Sequence, residues 1–223
     1  MPWGLKRFQE SGHSHFVTFS CYHRRPLLTS DPTKRIFELA LERVRHSFGL
    51  RVYGYVVMPE HVHWLVSEPE RGVLADALKS LKQGVSRRLV AGAPFKPGVG
   101  LSGDFPQHFR QKRYYDFNVR NYRQFVEKLR YIHRNPVKRG LCERPEDWEW
   151  SSFRQYATGR EGRVEIECEW TARRRERSGH SVQLSNCPTQ AKRGLEWGTR
   201  LDCDVLPVAR TSLAAPGPGF LCV

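Results

Sequence analysis

Acidic residues are scarce in this chain: 23 Asp+Glu stand against 37 Lys+Arg over 223 residues, a formal net charge of +14. A field of that sign repels cations and attracts polyanions. Nucleic acid comes first among these, ahead of an anionic membrane surface or an acidic protein. Long apolar runs are missing too. Nothing approaches the roughly 18 consecutive apolar residues of a membrane span, so no membrane partner is expected. Met1–Glu10 lacks the apolar middle of a signal peptide, which makes the cytoplasm the expected compartment. The six cysteines include no C-x-x-C pair, so neither a zinc knuckle nor a dithiol redox motif is suggested, and free thiols are the default.

What is present divides the chain in two. Residues 1–159 carry 27 Lys+Arg against 15 Asp+Glu, whereas 160–223 carry 10 against 8. The polyanion-binding surface therefore belongs to the first part. From Arg160 onward, a charge run (Arg173 to Arg177) and frequent Pro, Gly, Ser and Thr replace any apolar period. The expected organisation is a domain over 1–159 and a poorly ordered tail over 160–223.

Within the first part the periodicity alternates between strand and helix. His15 to Tyr22 alternates like a strand, Arg51 to Met58 reads as a second, and His61 to Ser67 as a third. Asp31 followed by Pro32 reads as an acidic N-cap with proline at the first helical position, and Phe37, Leu41, Val44 and Phe48 give that helix one apolar stripe. Val73 to Val90 predicts a second amphipathic helix, with Leu74, Leu78, Leu81 and Val85 on its apolar side. Ala91 to Gly103 is a Gly/Pro-rich loop, and His108 to Asp116 is a candidate fourth strand. A third helix is predicted from Asn121 to about Arg134, stopped by Pro136. The order of the first six elements predicts an α+β fold, a ferredoxin-like split βαβ sandwich, with an antiparallel sheet and helices on one face.

Two segments carry candidate chemistry. In Glu60-His61-Val62-His63-Trp64, alternation along a strand aims His61 and His63 to one side and Val62 and Trp64 to the other. Two imidazoles about 7 Å apart on one strand face can grip a divalent cation, given a further ligand. Glu60 borders the pair as a ligand or base, although adjacent strand residues face opposite ways. On the third helix, Tyr122, Phe125, Val126, Leu129 and Ile132 share one stripe. Tyr131 falls off that stripe, with Asn135 four residues on and on its side. A phenol titrating near 10 is a weak nucleophile at neutral pH, yet it can form a covalent intermediate with an activated phosphate. A cation at His61, His63 and Asn135 would supply that activation, and these ligand types suit Mg²⁺ or Mn²⁺. Tyr114 and Tyr115 are rival nucleophiles, but neither has a ligand type four residues on in a helix.

At these residues the chain resembles the single-tyrosine HUH transposases. Val57-Met-Pro-Glu-His-Val-His63 resembles their M-P-x-H-U-H segment. Tyr131-Ile-His-Arg-Asn-Pro-Val-Lys-Arg-Gly-Leu141, followed by Pro145 to Ser152, resembles the signature of REP-associated tyrosine transposases. The likeness covers roughly Ser14 to Ala157. It implies a ferredoxin-like fold with the catalytic tyrosine on a following helix. It implies His61 and His63 as metal ligands, Tyr131 as nucleophile, and Asn135 where insertion-sequence relatives carry glutamine. The implied substrate is single-stranded DNA with a hairpin, cut through a 5′-phosphotyrosine. The family contains monomers and homodimers, so oligomeric state is left open.

Basic and aromatic residues interleave around the expected site: Arg110, Lys112, Arg113, Tyr115, Arg120, Arg123, Arg134, Lys138 and Arg139. Cations of this kind hold phosphates, and rings stack on unpaired bases, which makes these nine the candidate DNA contacts. Trp148 and Trp150 are expected to staple the C-terminal segment to the domain. Other readings are a domesticated protein that binds hairpins without cutting, a relaxase or replication initiator, and a metalloenzyme for small molecules. Asn135-Pro-Val-Lys-Arg-Gly-Leu141 argues against the second, and the net charge against the last.

Overall fold

The structure, a computed structural model, describes residues 12–91, 109, 113–168 and 171, all within one compact unit, Met1–Arg193. Four strands make the sheet: β1 (Ser14–Ser20), β2 (Val52–Val57), β3 (His61–Val66) and β4 (Tyr115–Val119). Their spatial order is β2-β3-β1-β4, and every pairing is antiparallel. With α1 (Asp31–Phe48) between β1 and β2 and α2 (Leu74–Ala91) between β3 and β4, this is the expected ferredoxin-like split βαβ arrangement.

The two faces of the sheet have different coverings. Val17, Phe19, Tyr55, Val57, Val62, Trp64 and Val66 point to one face. There they pack with Phe37, Leu41 and Val44 of α1 and with Leu74, Leu78, Leu81 and Val85 of α2. The apolar stripes of both helices are thus used as their spacing predicted. Lys82 of α2 joins this core despite its charge, its ammonium lying over the rings of Phe19 and Tyr114 at 4.9 and 5.3 Å. The other face is covered by α3 (Tyr122–Lys138), which buries Phe125, Leu129 and Ile132. Gly54 on β2 permits that approach. A Cβ there would stand 2.5 Å from Leu129 Cδ1, so any side chain at this position would have to displace Leu129 or the helix.

Several boundaries differ from the sequence reading, each for a local reason. The α1 N-cap is Ser30, one residue before Asp31, because its carbonyl already accepts from the Lys34 amide. The fourth strand begins at Tyr115 rather than His108, since β1 offers partners only for Tyr115 to Val119. Most of the earlier part of that predicted strand lies outside the described residues. α3 starts as expected, with the Asn121 side chain accepting from the Gln124 amide at 2.9 Å. It does not stop at Pro136: the Arg139 amide donates to the Asn135 carbonyl at 3.0 Å, and the helix ends at Lys138 in a turn capped by the Leu141 amide on the Pro136 carbonyl at 3.0 Å. Proline removes its own amide donor and leaves the later donors in place.

Trp148 and Trp150 fasten the segment after α3, as expected. Trp148 Nε1 donates to the Val57 carbonyl at 3.1 Å, and the Val57 amide donates to the Trp150 carbonyl at 2.9 Å. A short helix, α4 (Phe153–Thr158), follows. Packing continues past residue 159, where the domain was expected to end. Val164, Ile166 and Cys168 are buried in the main core, and the Glu167 amide donates to the Val52 carbonyl at 2.7 Å. Alternate apolar residues in an otherwise polar stretch were too short a signal to read as packing. Beyond Cys168 only Thr171 is described.

Candidate active site

The register of the sheet assembles the site. Thr18 pairs with His63 and Ser20 with His61, so Phe16, Thr18, His61 and His63 share the face that α3 covers. The two imidazoles are nearly enclosed, at 6% and 4% exposure, and their Nε2 atoms approach to 3.0 Å. Asn135 enters from α3, with its amide nitrogen 3.2 Å from His63 Nε2 and its Oδ1 buried without a hydrogen-bond partner. Tyr131, one turn earlier, packs its ring edge-on against His63 at 5.0 Å and against Phe16 at 5.8 Å, yet remains 40% exposed. Phe16 in turn stacks on His63 at 5.6 Å. Histidine pair, amide and accessible phenol therefore meet at one point from two elements far apart in sequence.

The outer nitrogens of both histidines are also held. Glu60 Oε1 lies 3.1 Å from His61 Nδ1, and Thr18 Oγ1 lies 2.8 Å from His63 Nδ1. The Glu60 carboxylate stands beside the outer edge of His61, and Nε2 of each ring faces the cleft. Arg139 binds Glu60 Oε1 and so ties the end of α3 to the start of β3. Burial disfavours the charged form of both histidines. Burial, then the field of His61 and of Arg139, pushes His63 down to about 3. Burial lowers His61 as well, partly opposed by Glu60. Two neutral imidazoles with a buried amide oxygen beside them are a donor set for a cation. Among the described residues, no three His, Cys, Asp or Glu side chains gather to hold a metal, here or elsewhere, so the third donor in this set is the Asn135 amide.

The remaining candidates scatter around this centre. Arg113, Tyr115, Arg120, Arg123, Arg134, Lys138 and Arg139 are all exposed. Arg123, Arg134 and Lys138 line an open groove along α3 that also contains Tyr131, together with Lys128 and Arg130. Lys138 Nζ lies 6.0 Å from the Tyr131 ring centroid. Arg110 and Lys112 lie outside the described residues. Of the rival tyrosines, Tyr114 is turned into the core beneath Lys82. Tyr115 lies edge-on to Phe16 at 6.5 Å, on the site's face but on the far side of β1 from the histidines. The sequence reading missed Phe16 and Thr18 and gave Glu60 little weight. Glu60 sits in the bend before β3 rather than on the strand, so strand alternation does not govern it.

Among the described residues, no helix is long and apolar enough to cross a membrane. Among known proteins, the chain is similar to a REP-associated tyrosine transposase of Escherichia coli (strain K12). The two are 26% identical over 149 residues, covering 66% of this chain and 81% of the relative. Among solved structures it resembles a REP-associated tyrosine transposase bound to a REP hairpin. The TM-score is 0.57 at 21% identity, over 74% of this chain and 92% of that one, a likeness of fold. The pattern of the IS200-like transposases matches residues 9–135, more than half of the sequence and the stretch that holds both histidines, Tyr131 and Asn135. The chain belongs to the family of IS200-like transposases.

Proposed function

We propose that this chain is a DNA nickase and strand transferase acting on single-stranded DNA that carries a hairpin, with Tyr131 as nucleophile. The observation that supports this reading is the meeting of His61 Nε2, His63 Nε2 and the Asn135 amide directly beneath an accessible tyrosine. A protein that only bound DNA would need none of these four buried or oriented groups. The hairpin substrate is inferred from the solved relative, whose DNA partner is a REP hairpin.

His61, His63 and Asn135 are the residues that would hold Mg²⁺ or Mn²⁺. The orphaned Asn135 Oδ1 and the facing Nε2 atoms of the two histidines fit such an ion. Bound there, it would supply electrostatic stabilisation of charge on the scissile phosphate. The chain's own residues do the rest. Tyr131 Oη attacks phosphorus in line, forming the O–P bond as the bond to the 3′ oxygen breaks. The DNA leaves with a free 3′-hydroxyl, and the 5′ phosphate stays on the tyrosine. The linkage conserves the bond energy, so attack by another 3′-hydroxyl reverses the step and rejoins DNA. Phe16 and His63 fix the direction of the phenol. Arg123, Arg134 and Lys138 along the groove are available for the backbone phosphates, and Tyr115 for a base.

The test is covalent-adduct formation on denaturing gels, using hairpin oligonucleotides from the DNA flanking the gene, with Mn²⁺ or Mg²⁺. Expected is an adduct that requires the metal and is lost in Tyr131→Phe and in His61→Ala. An adduct surviving Tyr131→Phe moves the nucleophile elsewhere. Tight hairpin binding with no adduct in any condition makes the chain a binder that does not cut.

A further inference from the structure

Halfway between Tyr131 and Asn135 lies His133, a residue the chemistry above does not use. Two residues along a helix turn the side chain by about 200°, so His133 points away from the side that Tyr131 and Asn135 present to the site. It is buried, between Phe153 at 5.4 Å and Tyr156 at 5.3 Å. Its Nε2 lies 2.8 Å from Ser152 Oγ. That hydroxyl is itself embedded in the edge of the sheet: the Tyr55 amide donates to it at 3.1 Å, and the Ser152 amide donates to the Tyr55 carbonyl at 3.0 Å. One imidazole thus joins the catalytic turn of α3 to β2 and to the segment that follows Trp150.

The helix needs such a tie at this turn. Pro136 has no amide hydrogen, so the Ile132 carbonyl goes without its intrahelical partner inside the stretch from Tyr131 to Asn135. The backbone is thinnest where two functional side chains must both reach His63. Leu129, one turn before His133 on the same side, packs over Gly54 and limits translation of the helix. A polar contact at His133 fixes the roll.

We propose that His133 is a positioning residue for the reaction: through Ser152 it sets the rotation of α3 that aims Tyr131 and Asn135 at the histidine pair. The proposal rests on the reading of Tyr131 as nucleophile, but its test does not depend on it alone. His133→Phe keeps the ring volume between Phe153 and Tyr156. It orphans nothing, because Ser152 Oγ retains the Tyr55 amide and carbonyl. His133→Gln restores a polar group of similar reach. The experiment compares the three full-length proteins by crystal structure, by Mn²⁺ affinity from electron paramagnetic resonance, by hairpin affinity and by single-turnover adduct rate at saturating DNA. In His133→Phe we expect the Asn135–His63 separation to lengthen beyond hydrogen-bond range. Mn²⁺ affinity should fall several-fold and the adduct rate at least tenfold, with hairpin affinity within twofold, and His133→Gln should recover part of each loss. A purely structural histidine would lower the yield of folded protein and leave the rate per folded molecule unchanged. An unshifted α3 in His133→Phe overturns the proposal, as does an unchanged adduct rate. If the unsubstituted protein forms no adduct, the nucleophile assignment fails while the helix position still decides the role of His133.

Discussion

Thr18 and His63 face each other across paired strands, with Thr18 Oγ1 2.8 Å from His63 Nδ1 and the opposite ring nitrogen turned to the cleft. The hydroxyl holds the outer nitrogen and orients the ring so that Nε2 faces the cleft. Thr18→Val keeps the shape and removes the partner. The expected result is a fall of about 10–100-fold in Mn²⁺ affinity or adduct rate, the usual scale for losing such an outer partner. The fold and hairpin affinity should be retained. Titration of Mn²⁺ against Thr18→Val and the unsubstituted chain decides it, and equal affinities would mean that the hydroxyl only fills space.

Gly54 gives a steric test of the same assembly. Its missing side chain is what lets Leu129 sit on the sheet, and α3 carries both Tyr131 and Asn135. Gly54→Val inserts atoms where Leu129 Cδ1 already stands, an overpacking cost of about 1–3 kcal/mol. The helix can relieve it by lifting from β2, which moves Tyr131 relative to His63. Thermal unfolding should show a moderately destabilised but folded protein, whereas adduct formation should fall further than stability does. If activity per folded molecule were unchanged, the sheet would tolerate the insertion without moving α3.

The site's parts differed in how openly the sequence displayed them. His61 and His63 were legible because strand alternation is a local rule, and Tyr131 with Asn135 because a helical period is another. That these two pairs meet was not legible from spacing: it depends on α3 folding back over β3, which Gly54 permits but does not announce. Phe16 and Thr18 were invisible for the same reason, since only the register of β1 on β3 brings them beside His63. The path of α3 through Pro136 was misread because the rule that proline ends a helix holds for the preceding amide bond and not for donors further on.

A buried histidine outside the site makes stability depend on pH. His15 on β1 has Nδ1 2.9 Å from Asp116 Oδ1 and Nε2 3.4 Å from Glu68 Oε1, while Glu68 also accepts from the Gly12 amide. Burial works against its charge, but the hydrogen bond and field of Asp116, then those of Glu68, outweigh it and raise its pKa above the ordinary 6.5. The folded state therefore holds this proton more tightly than the unfolded chain does. The resulting stabilisation is fully present below about pH 6.5 and is lost as pH rises through the raised value. Urea unfolding from pH 6 to 9 should show the unsubstituted protein losing stability relative to its pH 6 value, and His15→Gln losing less. Parallel profiles would mean that His15 is neutral throughout.

The basic groove can be tested by its response to salt. Arg123, Arg134 and Lys138 line the groove along α3 beside Tyr131. If each holds one phosphate of a single strand, its removal releases one fewer set of condensed counterions. The slope of log affinity against log salt should then flatten by roughly 0.7 per residue. Arg134→Ala and Lys138→Ala, measured by fluorescence anisotropy between low and moderate salt, should each weaken binding across all sequences tested and flatten the slope. Arg120→Ala is the informative contrast. Its side chain is exposed beyond the end of β4, outside the groove that holds Tyr131, so a slope change equal to that of Arg134→Ala would place the strand across β4 rather than along α3.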